Sequence, residues 1–342
     1  MFLPKPSTAR SNTHPRQRFG VAARRVALPA VLALLAGCGS DPATRAGSSA
    51  RVRIAFASNR PPSHISNSDI YFYELSTGGP TTMPPNVNTI FKEYVPALSG
   101  NGEWLAYNTT NTDLLGPPAQ LLLYHVSDAR LVIPQRPLAF LNPWNPSLSY
   151  DGRYLAFQTQ EGAYFQLDIV LMDAFADTLV RTPKLHAFGA ADFAPSLSGD
   201  GKLIAFSTNR WGSFDVALYD LAGDSLIDLP GINTAYSDIG ARISRDGRYL
   251  AFDSGRPGGV GDFDVYVYDR ATSRFLDLPG ANTTLSESNV AISPDGRYLA
   301  YQTDDDGGGD IRLYDIVLRT IVPLSGLNDG YFADRNPSLA QH

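Results

Sequence analysis

The chain has 342 residues, a hydrophobic fraction of 43%, a formal net charge of −6 and a single cysteine. One cysteine excludes an internal disulfide, and an acidic chain without a Lys/Arg cluster argues against a nucleic-acid partner. The length is large for a single hydrophobic core, so the core is expected to be modular.

The first segment has the composition of a secretory signal. Residues 1–37 hold six basic residues and no acidic one, and the apolar run 26–36 is too short to span a bilayer as a helix. The run ends in Leu-Ala-Gly-Cys38, which resembles the lipobox of bacterial lipoproteins. That resemblance implies that Cys38 carries a lipid such as palmitate and becomes the new N-terminus. The alternative is an ordinary signal peptide with an incidental cysteine.

The residues that follow form a predicted tether. Residues 38–50 are small and polar, as expected of a flexible linker. Gly39 stands where an aspartate retains such lipoproteins in the inner membrane, so the resemblance implies an outer-membrane anchor facing the periplasm. The lipid is then the only membrane contact. The pair Arg24-Arg25 leaves twin-arginine export as an alternative route. Without residues 1–37 the chain has 22 basic and 34 acidic residues, a charge of −12.

From residue 51 onward the sequence repeats about every 48 residues. Copies of the motif Ser-x-Asp-Gly-Arg-Tyr-Leu-Ala-Phe place their turn residue at Asn101, Asp151, Asp200, Asp246 and Asp295, which are 50, 49, 46 and 49 residues apart. An Asp-Gly pair between apolar runs predicts a β-hairpin. Each unit continues with a strand that opens on aspartate and a shorter fourth strand. Four-stranded units at this period predict the blades of a β-propeller.

Six second strands are expected, so the sequence predicts an all-β, six-bladed propeller that occupies residues 51–342 as one monomeric domain. The first unit lacks its own innermost strand. At the other end of the chain, residues 336–340 (Asn-Pro-Ser-Leu-Ala) copy the opening of the repeat. We therefore predict that this C-terminal strand completes the first blade and closes the ring.

The motif SxDGRYLAF followed by D-[IV]-x-[LV]-Y-D resembles the blades of TolB-type propellers, which are WD-repeat-like, over residues 51–340. That family includes the periplasmic Tol component, oligopeptidase propellers and some lyases. The resemblance implies the fold and an envelope location. The Tol protein has an α/β domain before its propeller, where this sequence has only the short tether. Its partner, a peptidoglycan-associated lipoprotein, is therefore not transferred to this chain.

Five of the six blades carry a carboxylate six residues before the repeat serine. These residues are Glu93, Asp192, Asp238, Glu287 and Asp334, and the sixth position is Pro143. In a propeller, the loops before the first strand and between the second and third strands share one face, here called the loop face. The carboxylates therefore either cap turns, repeated because the blade repeats, or form a ring of negative charge at the channel mouth that attracts a cation or basic peptide.

Aromatic residues occupy the next position in three successive blades, at Tyr94, Trp144 and Phe193. They are candidate contacts for a sugar or a peptide, with packing between blades as the alternative. In the sixth blade, Asp304, Asp306 and Asp310 lie in an Asp- and Gly-rich loop and are candidate calcium ligands, because calcium takes hard oxygen ligands. The spacing departs from the EF-hand pattern, so a solvated turn is the alternative. No other cofactor is expected.

Motifs for catalysis are missing from the sequence, which has no GxSxG, HExxH, P-loop or paired-cysteine metal motif. We therefore predict a lipid-anchored, non-catalytic scaffold that binds an envelope protein or peptide on its loop face. The alternative is a calcium-dependent hydrolase or carbohydrate-binding protein that uses the carboxylate-lined channel mouth.

Overall fold

The computed structural model describes residues 51–61, 68–81, 83, 86–110, 120–132, 142–161, 166–304, 309–328 and 330–342. Cys38, the predicted signal peptide and the predicted tether lie outside these residues. The described residues form β-strands joined by turns and loops. A helix long and apolar enough to cross a membrane is not found among them.

The strands form six four-stranded antiparallel sheets, the blades. Blade 1 contains β1 (Val52–Ser58), β2 (Asp69–Glu74) and β3 (Gly79–Thr81). Blade 2 contains β4 (Glu93–Leu98), β5 (Trp104–Thr109), β6 (Gln120–His125) and β7 (Arg130–Val132). Blade 3 contains β8 (Trp144–Leu148), β9 (Tyr154–Glu161), β10 (Gln166–Asp173) and β11 (Thr178–Val180).

The second half of the ring repeats this pattern. Blade 4 contains β12 (Asp192–Leu197), β13 (Leu203–Thr208), β14 (Asp215–Asp220) and β15 (Ser225–Leu226). Blade 5 contains β16 (Asp238–Ile243), β17 (Tyr249–Ser254), β18 (Asp264–Asp269) and β19 (Arg274–Phe275). Blade 6 contains β20 (Glu287–Ile292), β21 (Tyr298–Thr303), β22 (Asp310–Asp315) and β23 (Thr320–Val322). The last strand is β24 (Asp334–Gln341).

The C-terminal strand completes the first blade, as predicted. Sheet order there is β24-β1-β2-β3, and β24 pairs antiparallel with β1, with Ile54 opposite Leu339. The pairing continues past the strand ends, because the Arg51 N–H donates to the His342 carbonyl at 2.8 Å. The predicted six-bladed, all-β propeller with a ring closed by the C-terminal strand is confirmed.

The hydrophobic core is divided among the six junctions between blades. Each cluster of buried side chains draws its members from two successive blades, as with Ala55 of blade 1 and Tyr107 of blade 2. The junction that closes the ring packs Phe56 and Leu339 of blade 1 against Leu313 of blade 6. The core is therefore modular, as the length of the chain required.

The Ser-x-Asp-Gly repeat forms the hairpin between the first two strands of a blade. In blade 3 the Ser149 hydroxyl donates to Asp151 Oδ1 at 2.7 Å and accepts the Tyr154 N–H at 2.9 Å. Gly152 has φ of +77°, and a Cβ there would lie 2.3 Å from the Trp104 side chain of the preceding blade. The motif thus fixes both the turn and the contact with the neighbouring blade.

Every innermost strand contains a β-bulge near its loop-face end, where the ladder to the second strand skips two residues. One bulge residue in each strand has a φ between 49° and 69°: Val95, Asn145, Ala194, Gly240, Asn289 and Asn336. In four strands the next residue is proline. Proline has no N–H, but a residue in a bulge does not need one to pair with the neighbouring strand. The bulges therefore bring irregular backbone to the channel at the same level in all six blades.

Candidate functional site

The six innermost strands surround a central channel, a cavity of about 260 Å³ on the ring axis. Bulge residues Val95, Asn145 and Gly240 line it, and so do Tyr150 and Arg245 from the hairpins at the opposite face. We call that opposite face the hairpin face. The channel and its mouth on the loop face form the candidate site, because concave surfaces with a few polar groups are the usual ligand sites.

The five predicted carboxylates lie at the start of their innermost strands, and all five side chains are fully buried. Three of them are aspartates that accept from an arginine: Asp192 from Arg210, Asp238 from Arg256 and Asp334 from Arg60. The two glutamates instead accept N–H and hydroxyl donors from a threonine in the preceding loop, Thr89 for Glu93 and Thr283 for Glu287.

The geometry therefore places each carboxylate in a hydrogen-bond network of its own loop. Asp238 shows the full arrangement, because it accepts from the Thr234 N–H at 2.7 Å and from Arg256 Nη2 at 2.7 Å. No three His, Cys, Asp or Glu side chains among the described residues are grouped so that they could hold a metal ion. Attraction of a cation or basic peptide by these groups stays a prediction.

Burial changes the protonation of the two glutamates. It raises the pKa of Glu93 to about 7, although hydrogen bonds from Thr89 and Thr109 act in the opposite direction. The pKa of Glu287 is raised for the same reason, with Thr283 as the opposing donor. Among the described residues, Glu93 accepts hydrogen bonds from Thr89 and Thr109 and not from an arginine, so its charge is less well compensated than that of the aspartates.

The three predicted aromatic residues lie immediately before the bulges, at the channel mouth. The structure brings two of them together, since the rings of Tyr94 and Trp144 are 4.9 Å apart. Phe193 packs edge-to-face on Phe214 at 5.3 Å instead. Trp144 and Phe214 remain exposed, and burial raises the pKa of Tyr94 to about 12. The mouth is therefore apolar on the side of blades 2 to 4. On the opposite side of the mouth, the residues immediately before the bulge are polar, namely Ser288 in blade 6 and Arg335 in blade 1.

Most of the exposed aromatic side chains among the described residues lie on the loop face. Eight large aromatic side chains are exposed in the part of the chain that the structure describes. Six lie in loops or strand starts of the loop face: Trp144, Phe188, Trp211, Phe214, Tyr236 and Tyr331. Phe175 is in a turn of the hairpin face and Phe275 is on an outer strand. We call the six residues the aromatic patch.

The predicted calcium ligands are described only in part. Asp304 is exposed after β21, and its N–H donates to the Ser286 carbonyl at 3.2 Å. Asp310 opens β22 and stands opposite Thr303 in the ladder. Asp306 lies outside the described residues. Calcium binding here stays a prediction.

Two charged residues of the channel were missed by the sequence analysis. Arg242 lies on β16, at a position that is serine or alanine in every other innermost strand. Asp253 lies on β17, with its side chain in the channel wall and almost fully buried. Both could have been identified from the sequence, because each is a charged residue at a position of the repeat that is uncharged in the other blades.

No protein-family model and no curated protein sequence matches the chain. Among solved structures, TolB from Acinetobacter baumannii is similar over 84% of this chain and 66% of its own, with 21% identity and a TM-score of 0.61. A putative TolB from Agrobacterium tumefaciens is similar over 86% of this chain and 99% of its own, with 16% identity and a TM-score of 0.58. The chain has the fold of the TolB propellers.

This fold is not restricted to TolB. A chain of the nidogen/laminin complex is similar over 84% of this chain and 98% of its own, with 9% identity and a TM-score of 0.59. The present chain spans 66%, just under two thirds, of the A. baumannii TolB chain. The resemblance to TolB-type blades is thus confirmed for the fold, and fold alone does not assign a partner.

Proposed function

We propose that the protein is a lipid-anchored component of the bacterial cell envelope that binds a protein or peptide through the loop face of its propeller. The observation that carries this function is the aromatic patch, which holds six of the eight large aromatic side chains that are exposed among the described residues. Exposed Trp, Tyr and Phe side chains are enriched where proteins bind one another, because they bury a large apolar area at little entropic cost.

The scaffold supports this role. The loops that carry the aromatic patch are held by the buried carboxylates, as in the contacts of Asp192 with Arg210. A loop held in one conformation loses less entropy when a partner binds. The similar fold in the nidogen/laminin complex belongs to a protein assembly, and the similarity to two TolB structures supports an envelope location. Anchoring through Cys38 adds the membrane contact to this proposal.

The test compares two faces of the full-length protein. Trp211 and Phe175 have nearly equal exposed fractions, 57% and 56%, and lie on the loop face and the hairpin face respectively. Cross-linking and capture from solubilised envelope would be performed with the wild type, Trp211→Ser and the matched control Phe175→Ser. We expect Trp211→Ser to lose the captured partner by tenfold or more, and Phe175→Ser to retain it. Equal capture by the two variants would refute binding through the loop face.

A further inference from the structure

The sixfold pattern of the channel wall is broken in blade 5. At one position the other innermost strands have a small residue, which is Ala97, Ser147, Ser196, Ala291 or Ser338. The serines bind the next blade: Ser147 accepts the Leu197 N–H at 2.9 Å, and Ser196 accepts the Ile243 N–H at 3.1 Å. Arg242 replaces this structural serine with a long cation inside the channel.

The guanidinium of Arg242 has weak partners. Its hydrogen bonds all run from Nη1 to neutral carbonyls, those of Ala194, Gly240 and Ala241, at 3.1 to 3.4 Å. Burial lowers the pKa of Arg242, and the more distant charge of Asp253 opposes this effect. The described residues provide no acceptor for Nε or Nη2, so both groups remain as donors for a ligand in the channel. A planar guanidinium binds a carboxylate best through two parallel hydrogen bonds.

A second group in the same wall is a carboxylate with only one of its two oxygens hydrogen-bonded. Asp253 is 4% exposed, and its Oδ2 accepts the Asn289 N–H of the neighbouring bulge at 3.0 Å. Its Oδ1 is buried without a hydrogen-bond partner in the part of the chain that the structure describes. Leaving a buried acceptor unpaired is costly, so such a group in a cavity wall indicates a donor supplied from outside.

We propose that the channel binds a chain-terminal carboxylate, with Arg242 holding the carboxylate and Asp253 Oδ1 accepting the N–H that adjoins it. The C-terminal residue of a peptide carries these two groups on one Cα. The inference rests on the proposed function, because the peptide is the end of the partner that docks on the loop face. Apolar side chains before that residue would then meet Phe193 and the rest of the channel mouth.

The test uses the full-length protein and three small probes in titration calorimetry. The probes are N-acetyl-alanyl-alanine, its C-terminal amide and free alanine. We expect the acid to bind and the amide to bind at least tenfold more weakly, because the amide cannot form the paired hydrogen bonds with a guanidinium. Binding of free alanine as tight as that of the acid would instead assign the site to a free amino acid and overturn the peptide assignment.

Arg242→Ser introduces the serine that three other blades have at this position, so the variant is expected to fold. It should bind the acid at least tenfold more weakly, whereas the control Arg274→Gln, an exposed arginine on β19, should bind it as the wild type does. Asp253→Asn should weaken binding several-fold. Unchanged binding by Arg242→Ser, or no binding of any probe to the wild type, overturns the inference. If capture of a partner still depends on Trp211, the proposed function stands without it.

Discussion

Gln341 and Asp295 are joined by two hydrogen bonds across the junction between blade 1 and blade 6. Gln341 Nε2 donates to Asp295 Oδ2 at 2.7 Å, and its Oε1 accepts the Asp295 N–H at 3.3 Å. These contacts complete a circle of hydrogen bonds between successive hairpins on the hairpin face. The other five links are between backbone groups, as from the Arg245 N–H to the Pro294 carbonyl at 3.0 Å. Pro294 has no N–H with which to continue the circle, so the glutamine side chain closes it.

Gln341→Ala should therefore destabilise the protein, by about 1–2 kcal/mol for the two lost hydrogen bonds. The change would be measured by denaturant unfolding. Pro294→Ala supplies the missing N–H, which allows a direct bond to the Gln341 carbonyl. In that background we expect Gln341→Ala to cost less, and strict additivity of the two substitutions would contradict this account of the closure.

Glu93 should make stability depend on pH. Because its folded-state pKa of about 7 lies above the ordinary value of 4.5, the folded state binds more protons than the unfolded state between these values. Stability then falls as the pH rises from 4.5 to 7. Glu93→Gln should not show this pH-dependent loss. At the upper end of the range its unfolding free energy should therefore exceed that of the wild type by a value on the order of 2 kcal/mol. The exposed Glu103→Gln is the control, and an equal gain in that variant would contradict the prediction.

Val95 occupies a bulge position in the left-handed region, with φ of 49°. A β-branched residue is strained there, whereas asparagine adopts this conformation readily and does so in three other blades. Val95→Asn should raise the unfolding free energy by about 1 kcal/mol. Val132→Asn, on an ordinary outer strand, should lower it because valine favours strands. A destabilised Val95→Asn would show that packing of this side chain outweighs the backbone strain.

Calcium gives a test of the alternative function. Since Asp192, Asp238 and Asp334 are already paired with arginines, we expect the melting temperature to be the same in calcium and in EDTA. A ligand at one hundred times its Kd adds about 2.7 kcal/mol to stability, which a melting curve detects easily. A clear rise in calcium that is lost in Asp304→Asn would support the calcium-dependent alternative.

Cys38 provides the test of the anchor. We expect the wild type to incorporate labelled palmitate and to be found in the membrane fraction. Cys38→Ser should lose the label and leave the membrane fraction, because the proposal makes the lipid the membrane contact of the protein. Retention of Cys38→Ser in the membrane fraction would contradict lipid anchoring.

The repeated parts of the fold were predictable because each copy supports the others. The Asp-Gly hairpins, the six blades and the closing strand at Asn336 follow from one period. Apart from Trp144, the aromatic patch was not predictable, because residues such as Trp211 and Tyr236 lie in loops that differ from blade to blade. The carboxylates follow from aligning the repeats on their serine. The arginines that bind the aspartates do not follow from that alignment. Arg210 and Arg256 each lie 18 residues after the aspartate they bind, and this spacing was a signal that went unused.

The pairing of β24 with β1 also sets the order in which the protein can fold. β1 ends at residue 58 and β24 begins at residue 334, so their pairing joins parts of the sequence that are much farther apart than in any other strand pairing of the described residues. During synthesis from the N-terminus, the five junctions between blades 1 and 6 can form before β24, which closes the sixth, has been made. Until then the apolar edge of β1, including Ile54 and Phe56, is unpaired. Unpaired edges invite association with other chains, so this edge is where a newly made molecule most needs protection.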